Sequence, residues 1–258
     1  LHLSLRRQRQ MCIRDSKEIV HKPCIWMDHD KKHVTVVGLP FSENENSNFE
    51  ISNNVCWVQN REGDIVHRIP VNHYGLIGDY SNGLVACRNV DAISFSIFED
   101  PMLRTRLDTL YHYDAVKNII TPCFTIDYVV SENQSACTVL YETSRSYWAQ
   151  VTLYPNNLSS SVSSVRLPAF NVCVSKKDGN VRRIDRFTDS LLGLSYPYLV
   201  MQNGYVCISY EPLELMDALD KVLTQTDLEP DVRKRATDLR NSLHENDNDI
   251  LIIGKLKQ

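Results

Sequence analysis

The densest group of ionisable side chains in the sequence is Asp28-His29-Asp30. A metal or general-base role would need partners from other strands. Neighbouring residues of a strand point to opposite faces, so these three converge only in a turn. Lys31-Lys32 come next, and apolar strand patterns at 25–27 and 33–37 flank the group. It therefore reads as a hairpin turn rather than a site. His67, His73 and His112 are scattered along the chain, and His112 and Tyr113 point to opposite faces. Each reads as a packed or rim histidine rather than a ligand.

The cysteines also lack a pattern that carries chemistry. Cys12 lies in an atypical leading segment, and seven others remain: Cys24, Cys56, Cys87, Cys123, Cys137, Cys173 and Cys207. No two are spaced as Cys-x-x-Cys, so neither a zinc site nor a redox motif is expected. Most sit in apolar strand patterns, which suits buried, reduced cysteine. Tyr141, Tyr147, Trp148 and Tyr154 form an aromatic group in one hairpin. They could line a sugar-binding face, but packing between sheets is the expected use. No Gly-x-Ser-x-Gly, His-Glu-x-x-His or phosphate-loop pattern occurs. No catalytic or metal-binding residue is assigned from the sequence. No cofactor is expected, and the ligand-binding residues stay unassigned.

The segment 1–16, LHLSLRRQRQMCIRDS, carries four arginines and no periodicity that continues into the strand patterns beyond it. Its RRQRQMCIRDS run resembles translated sequencing-adapter sequence, and it is expected to be an artefact outside the fold. Without it Lys+Arg falls from 28 to 24, Asp+Glu from 32 to 31, and the net charge from −4 to −7. An acidic chain argues against a nucleic-acid partner held through phosphates. No window of eighteen apolar residues exists, so no transmembrane helix is expected.

The elements that must position any site are short strands joined by tight turns. Strand pairs are expected at 54–59 with 65–69, 75–80 with 84–88, and 108–113 with 119–127. Further pairs are expected at 136–142 with 146–154, 170–174 with 180–187, and 197–202 with 205–210. Pro122 lies within a strand pattern and marks an edge, because proline donates no ladder hydrogen bond. The hairpins starting near Asn54, Asp108 and Phe170 are each preceded by a second hairpin. Four strands per ~50–60 residues is the period of a propeller blade. A β-sandwich is the competing reading, but it would need no repeat.

Two helices are expected near the end. Pro212 opens the first, with Leu215, Met216, Leu219, Val222 and Leu223 on one stripe. Pro230 opens the second, with Val232, Ala236, Leu239 and Leu243 on its stripe. Arg233-Lys234-Arg235 reads as a solvated helix face. The run 250–256 is apolar on both faces and reads as a buried strand that returns the chain to the sheet.

Some segments resemble a known family. Tyr111-His112-Tyr113-Asp114, then Ile120-Thr121-Pro122-Cys123-Phe124-Thr125-Ile126-Asp127-Tyr128, resembles a hairpin of bacterial six-bladed β-propeller proteins of unknown function. Asn203-Gly204-Tyr205, the Tyr210-Glu211-Pro212 helix start, the two helices and the Asn246-to-Lys257 ending are similar to that family's C-terminal pattern. Asp249 stands where the family usually has proline. The resemblance implies an all-β protein over residues 17–258. It would hold about four blades of a six-bladed ring, a two-helix insertion at 212–246 and a closing strand at 250–256. It also implies an exported protein, periplasmic or a cell-surface lipoprotein. The expected function is non-enzymatic binding of a protein or carbohydrate at the cell envelope. The alternative is a glycan- or peptide-acting hydrolase or lyase with its site at the channel mouth.

Overall fold

The computed structural model describes residues 21–28, 31–41, 54–76, 78–79, 81–88, 92–100, 106–127, 131–155, 169–199, 201–202 and 205–255. The segment 1–16, His29, Asp30, Asn203 and Gly204 lie outside them. The described chain is mostly β, with seventeen strands and two α-helices. No helix among the described residues is long and apolar enough to cross a membrane. The chain divides into two compact units: Leu1–Glu142 with Leu153–Ser164, and Thr143–Thr152 with Val165–Gln258.

The first unit holds two four-stranded antiparallel meanders. One contains β1 (His21–Met27), β2 (His33–Leu39), β3 (Asn54–Asn60) and β4 (Ile65–Pro70). The other contains β5 (Gly83–Arg88), β6 (Ile93–Phe98), β7 (Asp108–Asp114) and β8 (Ile119–Ile126). The two sheets share one core. Val37, Leu39 and Cys56 come from the first, and Ile93, Phe95 and Tyr113 from the second. Alternation explains which residues face it: Ile93, Phe95 and Ile97 turn inward, while Ser94 and Ser96 lie on the opposite face of β6. Strand β9 (Gln134–Glu142) lies against β5, β6 and β7. Ser94, Ser96, Ala136 and Thr138 are all buried, and their small volume lets the backbones approach.

The hairpins 54–70 and 108–126 form as expected. Pro122 lies on β8, which is a sheet edge. The expected pairing of 75–80 with 84–88 does not form among the described residues. Asn72–Tyr74 make a 3-10 turn instead, and Leu76 is buried, with its N–H donating to the Pro40 carbonyl at 2.9 Å. β5 pairs with β6, from Gly83↔Phe98 to Arg88↔Ile93. A Cβ on Gly83 would lie 1.9 Å from the Phe98 ring, so any side chain there would force that ring to move.

In the second unit β10 (Ser146–Pro155), β11 (Ala169–Ser175) and β12 (Val181–Ile184) pair in chain order. Two smaller sheets come after them. One is β13 (Phe187–Thr188) with β14 (Ser195–Tyr196). The other is β15 (Met201–Gln202), β16 (Tyr205–Tyr210) and β17 (Ile250–Lys255). The α-helices α1 (Pro212–Leu223) and α2 (Pro230–Ser242) lie between β16 and β17. Leu215, Leu219 and Val222 of α1 are buried, and so is Ala236 of α2. Leu243 is buried but sits past the helix, in extended backbone.

The propeller is overturned. Among the described residues the strands make five separate antiparallel sheets of two to four strands, none closed or curled. The expected grouping of four strands per sheet holds three times, and the expected last set, a pair at 197–202 and 205–210 followed by the strand at 250–256, forms as a three-stranded sheet, with a further two-stranded sheet before it. A hairpin repeat determines which strands are neighbours. A ring also requires every sheet to present matched faces to two others, and strand spacing does not encode that.

Two smaller expectations also change. β17 is an edge strand with Leu251 and Ile253 exposed, not a strand buried between neighbours. The basic run on α2 is only partly solvated. Arg233 donates to the Leu223 carbonyl at 2.8 Å and also to the Gln225 carbonyl, capping the end of α1. Arg235 donates to the Leu191 carbonyl at 2.8 Å and the Ser190 carbonyl at 3.1 Å. Lys234 is exposed.

Candidate functional site

Three side chains that are far apart in sequence meet on the face of the β5–β8 sheet that lies towards β9. Their positions result from strand chemistry. On β7, Tyr111 and Tyr113 pack on the core shared with β1–β4, so His112 between them points the other way. Tyr111 is stacked on Phe95 at 5.4 Å between ring centroids. Tyr113 is fully buried, and its hydroxyl donates to Asn118 Oδ1 at 3.1 Å. The two tyrosines therefore lock the strand that carries His112.

Cys123 owes its position to an irregularity in the ladder. Tyr111 pairs with Pro122 and Leu110 with Phe124, so the register shifts and Cys123 is the extra residue. A bulge of this kind bends an edge strand and re-aims a side chain. The Cys123 thiol donates to the Leu110 carbonyl at 3.2 Å. Glu142 is the last residue of β9, and its side chain is only 3% exposed. Its Oε2 lies 2.7 Å from His112 Nε2, while the His112 side chain is 30% exposed. The donor atoms of His112, Cys123 and Glu142 all lie within 4.8 Å of one another.

These contacts set the electrostatics. The hydrogen bond with Cys123 first, and that with Glu142 second, hold the His112 imidazolium up to about 10 against a partial burial that works the other way. The core thiols behave differently. Burial pushes the Cys24 and Cys56 thiols up, which makes them inert fillers. All seven described cysteines are free, with Cys56 and Cys87 buried and Cys207 exposed.

The other residues singled out from the sequence do not converge. Asp28 accepts from Thr35 Oγ1 at 2.9 Å and lies 4.0 Å from Arg88, beside a turn in which the Asp28 N–H donates to the His33 carbonyl. His67 is exposed, and His73 is exposed with its ring 3.9 Å from that of Tyr74. The aromatic group has separate uses. Tyr141 is buried, with its hydroxyl pushed up to about 12 by burial. Lys176 lies over the Tyr147 ring, and Trp148 packs on Phe187 at 5.8 Å.

Sequence reasoning missed Glu142 and Cys123 and read His112 as a packing residue. Two signals pointed to them. A histidine alternates with core tyrosines, and a proline marks the bulged edge strand beside it. The glutamate at a strand end carried no signal of its own.

In chemical terms the group offers one imidazole, one thiol and one carboxylate from three strands. Such a set can hold a cation, or it can serve a thiol nucleophile with a base and an orienting acid. Compared with protein-family models, with curated proteins and with solved structures, the chain matches none, so the functional reading rests on these residues alone.

Proposed function

We propose that this is a non-enzymatic binding protein whose ligand is held at His112, Cys123 and Glu142. The observation that carries the reading is the thiol hydrogen bond to the Leu110 carbonyl. A cysteine nucleophile must pass its proton to a base, and a peptide carbonyl cannot take it. The neighbouring imidazole nitrogen, Nε2, is already engaged by the Glu142 carboxylate at 2.7 Å. The three donors are thus fixed by their own strands and suited to grip rather than to turn over. An envelope location and a protein or carbohydrate partner enter the proposal through the sequence resemblance alone, and cell fractionation of the native host tests the location.

The test of binding against catalysis uses an activated ester. The purified full chain is mixed with p-nitrophenyl acetate, nitrophenolate release is monitored, and Cys123 is examined by peptide mass spectrometry. The expected result is no stoichiometric burst and no acetyl group on Cys123. A burst equal to the chain concentration, with the acetyl group on Cys123, overturns the reading in favour of acyl-transfer chemistry.

A further inference from the structure

We infer that His112, Cys123 and Glu142 form a coordination site for a zinc-class divalent metal ion. The inference rests on the binding reading above and names its ligand.

The geometry carries it. The three donor atoms lie within 4.8 Å of one another and come from three strands, β7, β8 and β9. Bonds of about 2.0–2.2 Å to nitrogen and oxygen, meeting at a tetrahedral angle, set those two atoms roughly 3.3–3.5 Å apart. His112 Nε2 and Glu142 Oε2 stand at 2.7 Å, so they need to part by less than about 1 Å for an ion to enter.

The donor chemistry selects the class of ion. A thiolate is a soft ligand and an imidazole a borderline one, and together they discriminate against magnesium and calcium, which take oxygen donors. One thiolate and one carboxylate also balance the charge of a divalent ion, leaving a neutral site. That matters for a carboxylate as buried as Glu142. Ion entry displaces two protons to solvent, the thiol proton of Cys123 and the Nε2 proton of His112, and replaces the thiol bond to Leu110 and the imidazole bond to Glu142 with bonds to the metal. Three protein ligands leave a fourth position, and the partial exposure of His112 opens it towards solvent.

Chain spacing hides such a site. His112 and Cys123 are eleven residues apart, and Cys123 and Glu142 nineteen. Only the hairpin, its bulge and the strand laid across it bring the donors together.

The test uses cobalt as the probe on the untagged full chain. Stoichiometric Co2+ should give a thiolate-to-cobalt charge-transfer band in the near ultraviolet and visible bands of tetrahedral intensity. Equimolar Zn2+ should bleach both. Cys123→Ser should abolish the charge-transfer band, and Glu142→Gln should weaken cobalt binding at least tenfold. If a variant fails to fold, the wild-type chain still decides the matter. Zn2+ should slow N-ethylmaleimide labelling of Cys123 at least tenfold, read by peptide mass spectrometry, while labelling of Cys207 is unchanged. A wild-type chain that takes up no cobalt, a band that survives Cys123→Ser, or labelling of Cys123 indifferent to zinc overturns the inference. Those results leave the non-enzymatic reading standing, because only acylation of Cys123 overturns it.

Discussion

Cys123 and Cys207 sit in strands of the same kind, one between Pro122 and Phe124 and the other between Val206 and Ile208. The sheets around them differ in what covers their faces. The β5–β8 sheet is covered on both sides. Phe95 and Tyr113 meet the core shared with β1–β4, and Ser94 and Ser96 lie on the face towards β9. The β15–β17 sheet is covered on one side only. Val206 is buried, while Tyr205, Cys207, Leu251 and Ile253 stand exposed on the other face. A strand cysteine joins a histidine and a glutamate only where a further strand is laid over its sheet. Cover, not strand sequence, makes the difference between a site and a surface.

The comparison breaks most sharply at the two faces themselves. Phe95→Ala removes a fully buried ring from the doubly covered sheet and should destabilise by about 3–5 kcal/mol. Ile253→Ala, on the open face, should stay within about 0.5 kcal/mol. Urea unfolding of the two variants measures both. Equal losses would show that the open face is covered in solution.

A smaller effect is expected where β9 approaches. Ser96 is fully buried, and its hydroxyl has no partner among the described residues. Ser96→Leu should overpack the narrow gap and cost about 1–3 kcal/mol. Ser96→Ala should be neutral or stabilising by up to about 1 kcal/mol, since it removes an unsatisfied buried group. Thermal melts of the pair check the claim, and a destabilising alanine would point to a partner for the hydroxyl.

The open face itself gives a still smaller stability change. Replacing Leu251 and Ile253 with lysine should leave the melting midpoint nearly unchanged while lowering dye binding and self-association. Light scattering at rising concentration reads the outcome. A large fall in midpoint would mean that these side chains pack against something.

The smallest expected effect lies on the helices between β16 and β17. Arg240 donates to both carboxylate oxygens of Asp220, at 2.8 and 3.0 Å, and holds that carboxyl below its usual range. A depressed carboxylate contributes stability that is present above the unfolded value, about 3.9, and lost as pH falls through the lower folded value. The gap in melting midpoint between wild type and Asp220→Asn should therefore be small at pH 7 and close at lower pH. A gap that widens on acidification would contradict the sign.

Much of the local structure was legible in the residues. The turn at 60–64 predicts the pairing of β3 with β4, and Pro122 predicts an edge. Pro212 and Pro230 predict where two helices start. These signals are short-range: a proline lacks a donor, a glycine accepts a turn, and an apolar stripe repeats every three to four residues. The failures all concern longer distances. Residues 75–80 alternate well enough to read as a strand, yet Leu76 is drawn into the core and β6 takes the place beside β5. The apolar run of β17 reads as buried, yet it ends a sheet with one open face.

By itself, then, the sequence determined the β class, most hairpins, the edge at Pro122 and the two helices, because each depends on neighbours along the chain. Only the tertiary structure decided that the sheets stay separate rather than closing into a ring, and which face of each sheet is covered. It alone decided that His112, Cys123 and Glu142 meet. A strand's period of two says which residues share a face, but not what that face will touch. Contact between faces is settled by the volumes of side chains such as Ser94, Ser96, Ala136 and Thr138, matched across strands far apart in the sequence.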